Sequence, residues 1–145
     1  MQIPISGNST QTCLDAFLSN EEVHRICPNC KSPISLKSFD VTLPPSTLIF
    51  QLLRFSYDAS KKKIRKLHMP INCSTTVSLK NCGMYELNSV INHIGESSTS
   101  GHYNILLYNP PNKQSVLVDD TDIDYNASLD IVNEICYVVS YTKCE

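Results

Sequence analysis

Along much of the chain, apolar and polar residues alternate with a period of two, the pattern of a strand with one buried face. Tyr85–Ile94 alternates in this way, and His102–Asn109 and Ile135–Tyr141 are rich in strand formers. Val77–Leu79 and Ser115–Val118 are shorter stretches of the same kind, and Ile34–Val41 reads as a further strand. Thr47–Phe55 is different, because its residues are almost continuously apolar. That predicts a central strand covered on both faces, although a buried helix has the same composition. A helical period appears in Cys13, Leu14, Phe17 and Leu18, predicting a short amphipathic helix over Thr12–Leu18 with Thr10 or Thr12 as its cap. Ala127–Glu134 reads as a second brief helix, capped by Asn126 or Ser128. Leu43–Ser46, Ser56–Lys66 and Pro110–Lys113 read as breaks or turns. Antiparallel hairpins with few helices make this an α+β chain.

Its 145 residues suit one domain with a modest core. Charged residues make up 18% of the chain and the formal net charge is −2, so nothing calls for nucleic acid as a partner. The basic run Lys61–Lys66 reads as a solvated hairpin tip. No apolar run approaches the roughly 20 residues of a membrane span, so no membrane partner is expected. Nor does Met1–Gly7 look like a secretory signal. Seven cysteines, scattered apart from one pair, fit a reducing cytoplasmic or nuclear setting better than a disulfide framework.

Three groups could carry chemistry. His102 stands where the polar run Gly95–Gly101 becomes a strand, as either a packing histidine or a base at the mouth of a cleft. The strand it begins turns at Pro110-Pro111, and the returning strand ends at Asp119-Asp120, which brings carboxylates back to the level of His102. Such a carboxylate can accept Nδ1–H, fix the tautomer and stabilise the imidazolium; equally, the acidic residues could form a turn. Cys13 lies near the start of a predicted helix, where a thiol pKa falls, yet it also fits as a small core residue. Cys27-Pro-Asn-Cys30 has the spacing of half a structural zinc site; four donors are needed, no second C-x-x-C is present, His24 is close by with Cys73 and Cys82 as remote donors, and a plain turn with two thiols fits as well.

In order and spacing, these pieces resemble the ubiquitin-specific proteases, a family of cysteine peptidases, over about Ile3 to Thr142. Arg25–Cys30 resembles the family's second C-x-x-C. Leu43–Phe55 resembles its LP..L...LKRF strand, with Leu53 where lysine is usual, and Lys66–Ile71 its K....V.FP step. Tyr85–Gly95 followed by Gly101-His102-Tyr103 resembles the Y.L..V..H.G....GHY box. Val118-Asp119-Asp120 and Cys136–Tyr141 resemble the DD step and the closing AYLLFY strand.

The resemblance implies a partial papain-like fold, with a fingers remnant over about residues 1–45 and an antiparallel palm sheet over about 46–145. It makes His102 the general base, Asp119 the residue that orients it, and Asp120 an auxiliary acid. Gly95, Gly101 and Tyr103 would belong to the loop beside the ubiquitin tail, with His93 as a structural residue or a loop contact. Cys27 and Cys30 would be two ligands of a structural zinc with an incomplete ligand set, and catalysis would need no cofactor. The implied partners are ubiquitin or a ubiquitinated protein, and the N-terminal half of the domain. Nothing in this chain resembles the family's GNTCYMNS-like nucleophile box or its oxyanion-hole residue, and alignment argues against Cys13 as the nucleophile. The family's first zinc C-x-x-C is also absent, and its tryptophan before the DD step is Ser115 here. The expectation is therefore the C-terminal part of a deubiquitinating cysteine protease, inactive by itself. The alternative is a relative that binds ubiquitin without cutting it.

Overall fold

A computed structural model describes residues 1–145. One helix, α1 (Thr10–Leu18), accompanies twelve strands. They are β1 (Gln2–Pro4), β2 (Glu21–His24), β3 (Ile34–Lys37), β4 (Thr47–Leu53), β5 (Phe55–Asp58), β6 (Lys63–Lys66), β7 (Thr76–Leu79), β8 (Gly83–Ile94), β9 (His102–Asn109), β10 (Gln114–Asp119), β11 (Asp122–Asp124) and β12 (Cys136–Lys143). Eight of them form the main sheet, in the order β1-β4-β12-β8-β9-β10-β11, with β7 also on β8. The long strand β8 carries β12 along one edge; β7 and β9 share the other, against Gly83–Glu86 and Ser89–Ile94 respectively. Every pair is antiparallel except β1 with β4. The β2–β3 and β5–β6 hairpins are separate two-stranded sheets.

Period-two alternation converts directly into burial. Leu106, Val90, Val139 and Phe50 stand side by side across β9, β8, β12 and β4, and each is 0% exposed. The adjacent row, Ile105, Ile91, Val138 and Gln51, points to the other face and is half-buried. The next inward row, Asn104, Asn92 and Cys136, is buried and largely polar. Helix α1 closes the inner face with Cys13 and Leu14.

Several sequence expectations change. The helix starts at Thr10 because Ser9 is the cap: its Oγ accepts from Thr12 N at 3.1 Å, and Thr12 Oγ1 accepts from Ser9 N at 3.0 Å. Thr47–Phe55 is not covered on both faces. Leu48, Phe50 and Leu52 point inward, while Ile49 is 52% exposed, because nothing in the chain packs on the outer face there. Ser56–Lys66 is the β5–β6 hairpin rather than a plain turn. Ile34–Val41 is a strand only to Lys37. The second helix shrinks to a single 3-10 turn, Leu129–Val132, which Ser128 caps.

Arg54, at the end of β4, is buried with no carboxylate partner. Its Nε and two Nη atoms donate to the carbonyls of Cys136, Leu67, Met69 and Asn133. Backbone oxygens thus solvate the guanidinium in place of water.

Candidate functional site

His102 opens β9 and Asp119 closes β10, so the antiparallel register brings both to the same end of one hairpin. The turn at Pro110–Lys113 makes this possible, with Lys113 in the left-handed region at φ 56°. His102 Nε2 is hydrogen-bonded to Asp119 Oδ1. The expected contact through Nδ1 is therefore corrected: the ring presents its far nitrogen to the carboxylate, and Nδ1 points away from it. The hydrogen bond to Asp119, and then the charge of that carboxylate, hold the imidazole above the ordinary histidine range. The same bond, followed by one from Asn104, holds the Asp119 carboxyl below its usual range. Both side chains keep substantial exposure, 45% for His102 and 36% for Asp119, so a reactant can reach them. Asp120 sits beside the pair at φ 51°, and the three donor atoms lie within 4.8 Å of one another.

The chain from Gly95 to Gly101 is pinned at both ends. Gly95 takes φ 121°, a conformation that favours glycine. The Lys66 ammonium, itself 7% exposed, donates to His93 O at 2.6 Å and to Gly95 O at 2.8 Å. Burial lowers its pKa. At the other end, a Cβ on Gly101 would fall 2.3 Å from His93 Nε2, so only glycine fits against that ring. His93 is 2% exposed and is held below the ordinary histidine range by burial. It packs against Tyr103 at 4.9 Å between centroids, and against Phe55 and Tyr137. The structure thus brings Gly95, Gly101 and Tyr103 together around His93, next to His102.

The cysteines lie elsewhere. Cys13, Cys73, Cys82 and Cys136 are buried in the core. The hydrogen bond with Cys73 and the Arg54 guanidinium, whose Nη2 donates to Cys136 Sγ at 3.1 Å, lower the Cys136 thiol to about 7 against burial; the hydrogen bond with Cys136, and then burial, raise the pKa of Cys73. This buried group gave no sign in the sequence. Cys27 and Cys30 flank the tip of the β2–β3 hairpin, where the backbone N–H groups of Cys30 and Asn29 lower the Cys27 thiol. The two thiols supply half of a tetrahedral set, and no third His, Cys, Asp or Glu stands with them. The residues present therefore do not complete a zinc site. Asn104 and Asn92, which extend the polar row to Asp119, were also missed.

Comparison with known proteins places this geometry. The family described as ubiquitin carboxyl-terminal hydrolase matches residues 6–141. Ubiquitin hydrolase B of Dictyostelium discoideum is 29% identical over 95% of the chain and 32% of its own length. Ubiquitin carboxyl-terminal hydrolase 9 of Arabidopsis thaliana is 31% identical over 91% of the chain and 16% of its own length. Among solved structures, the SAGA DUB module Ubp8/Sgf11/Sus1/Sgf73 bound to monoubiquitin superimposes with a TM-score of 0.76 at 24% identity, covering 99% of this chain and 35% of that one. The fold is thus that of the papain-like catalytic domain. The chain spans a third or less of the length of these relatives. No helix is long and apolar enough to cross a membrane.

Proposed function

The chain belongs to the ubiquitin carboxyl-terminal hydrolase family, and from that premise we propose that it is the base-bearing part of a cysteine-dependent deubiquitinase. The observation that carries this reading is the His102–Asp119 pair at the open end of the hairpin, bonded through Nε2. Nδ1 is thereby left to face a thiol supplied by sequence outside these residues. In the assembled enzyme, Nδ1 takes the thiol proton and the thiolate attacks the carbonyl carbon of the terminal glycine of ubiquitin. The protonated ring then gives that proton to the leaving amine as the C–N bond breaks. Water, deprotonated by the same nitrogen, hydrolyses the thioester and regenerates the thiol. Asp119 keeps the ring aligned and supports its positive charge. Asp120 adds negative charge, and Gly95, Gly101 and Tyr103 line the path of the ubiquitin tail. The β2–β3 hairpin with Cys27 and Cys30 is the fingers remnant.

One observation favours a second reading, a binder of ubiquitin that does not cut it. Each of Cys13, Cys73, Cys82 and Cys136 is buried, and no thiol stands beside His102. Two measurements on the 145-residue chain test the proposal. Titrating ubiquitin into the labelled protein is expected to shift the amides of Gly95, Gly101 and Tyr103; no shift in that loop sinks both readings. Incubation with an electrophilic ubiquitin probe is expected to give no adduct, and a covalent product at Cys13 would refute the assignment of the nucleophile to outside sequence. In the whole protein, H102A is expected to abolish hydrolysis under the first reading; a whole protein that binds ubiquitin without hydrolysing it supports the second.

A further inference from the structure

We propose that Asn104, held in turn by Asn92, is a positioning residue for the His102–Asp119 pair. The two amides form a one-way hydrogen-bond relay that fixes the Asp119 carboxylate and keeps it ionised. Asn104 lies two residues after His102 on β9, so both side chains leave the same face of the strand. Its Nδ2 donates to Asp119 Oδ2 at 3.1 Å, while Oδ1 of that carboxylate takes His102 Nε2. The carboxylate is gripped at both oxygens. Asn104 Oδ1 accepts from Asn92 Nδ2 at 2.8 Å, and Asn92 stands directly opposite in the β8–β9 register. Asn104 is 8% exposed and Asn92 0%, so protein rather than water satisfies these bonds.

The relay can run in only one direction. An ionised carboxylate only accepts, so Asn104 must turn its NH2 toward Asp119 and its oxygen away. That oxygen needs a donor, which obliges Asn92 to present its own NH2. The chain of donors ends at Asn92 Oδ1, which is buried without a partner. Leaving a buried oxygen unpaired costs free energy, and a purely packing role does not explain that cost. Leucines at the two positions would extend the apolar Leu106–Val90 row and leave no buried amide oxygen unpaired. Flipping Asn92 would set two acceptor oxygens against each other. Its orientation is therefore dictated by Asp119, two bonds away. Protonating Asp119 or swinging it aside breaks the relay, so Asn104 keeps the carboxylate charged and in reach of His102.

The inference rests on reading His102 as the base, but its own readout is a titration, and cleavage serves only to tell its failure from that of the proposed function. The titration midpoint of the His102 ring is followed by NMR in the 145-residue chain and its variants. D119N is expected to lower the midpoint toward the ordinary histidine value. N104L should lower it part of the way, and N92L in the same direction by less. N104T, whose hydroxyl can accept from Asn92 and donate to Asp119, should restore it. If N104L loses native amide dispersion, N104A removes the donor without added bulk and is read in the same way. A wild-type midpoint in the folded N104L or N104A protein, alongside a shifted one in D119N, overturns the relay. That result combined with loss of ubiquitin hydrolysis in H102A would sink the relay alone. A working relay in a whole protein that neither binds nor cleaves ubiquitin would sink only the proposed function.

Discussion

His102 turns Nε2, not Nδ1, toward Asp119. The consequence is a division of labour within one ring. The nitrogen bonded to the carboxylate carries the fixed proton of the neutral form, and the other is the basic one. Nitrogen NMR of the neutral ring is expected to show a protonated Nε2 and an unprotonated Nδ1. The reverse tautomer would remove the geometric basis for Nδ1 as the base.

The pair also sets a pH window for stability. His102 has a raised pKa in the folded chain, so its contribution is complete below about pH 6.5 and is lost as pH rises through the folded value. Asp119 has a depressed pKa, so its contribution is complete above about pH 3.9 and is lost as pH falls through the folded value. Denaturant midpoints of wild type and D119N should therefore differ most between those limits and converge on either side. A difference that grows steadily above pH 8 contradicts the pairing.

Glycine substitutions should separate crowding from backbone strain. Gly101 has His93 Nε2 at 2.3 Å and Ile94 O at 2.7 Å from the position of an added Cβ. Gly83, at φ 97°, has nothing within 4 Å. G101A is expected to cost about 2 kcal/mol and to displace the His93 ring, whereas G83A should cost about 1 kcal/mol. Chemical denaturation measures both, and the reverse order would refute the close contact at Gly101.

Arg54→Lys keeps the charge but not the planar fork that reaches four carbonyls. The loss should be about 3 kcal/mol or more, because several buried oxygens lose their donors. A destabilisation under about 1 kcal/mol would mean that water replaces the guanidinium.

Cys27 and Cys30 should bind zinc weakly. Two thiols without a third donor hold the ion too loosely to resist a competing chelator, and C27S is expected to leave the melting temperature unchanged. A stoichiometric zinc that survives chelation would show that further ligands reach the site.

Much of the hairpin region was legible in the sequence. His102–Asn109 is a strand over the expected residues, because a polar glycine-bounded run precedes it and Pro110-Pro111 ends it. The return of Asp119 to the level of His102 followed from the turn between them, but their bond did not, because an acidic turn fitted the same spacing. Legibility failed where the deciding partner is distant in sequence. Ile49 looks buried by composition, yet whether a strand face is covered depends on what packs over it. The strand Gln2–Pro4 is too short to show a period and exists only by pairing with β4. Arg54 stands in the apolar run Thr47–Phe55 with nothing local to show that backbone oxygens from residues 67 to 136 converge on it. Asn92 and Asn104 read as polar interruptions of good strands, because no local pattern announces a bond across to Asp119.

The chemistry occupies one end of the β9–β10 hairpin and the turn at Pro110–Lys113 the other, about 25 Å away along eight strand residues. That separation makes the turn a place to build. A reporter dye, an affinity tag or a new pair of termini introduced at the exposed Asn112 would hang from the far side of the sheet. Provided the ladder from Gln114 to Val118 keeps its partners, His102 and Asp119 stay face to face. The protein can thus be labelled or tethered through the same hairpin that holds its base, without disturbing that base.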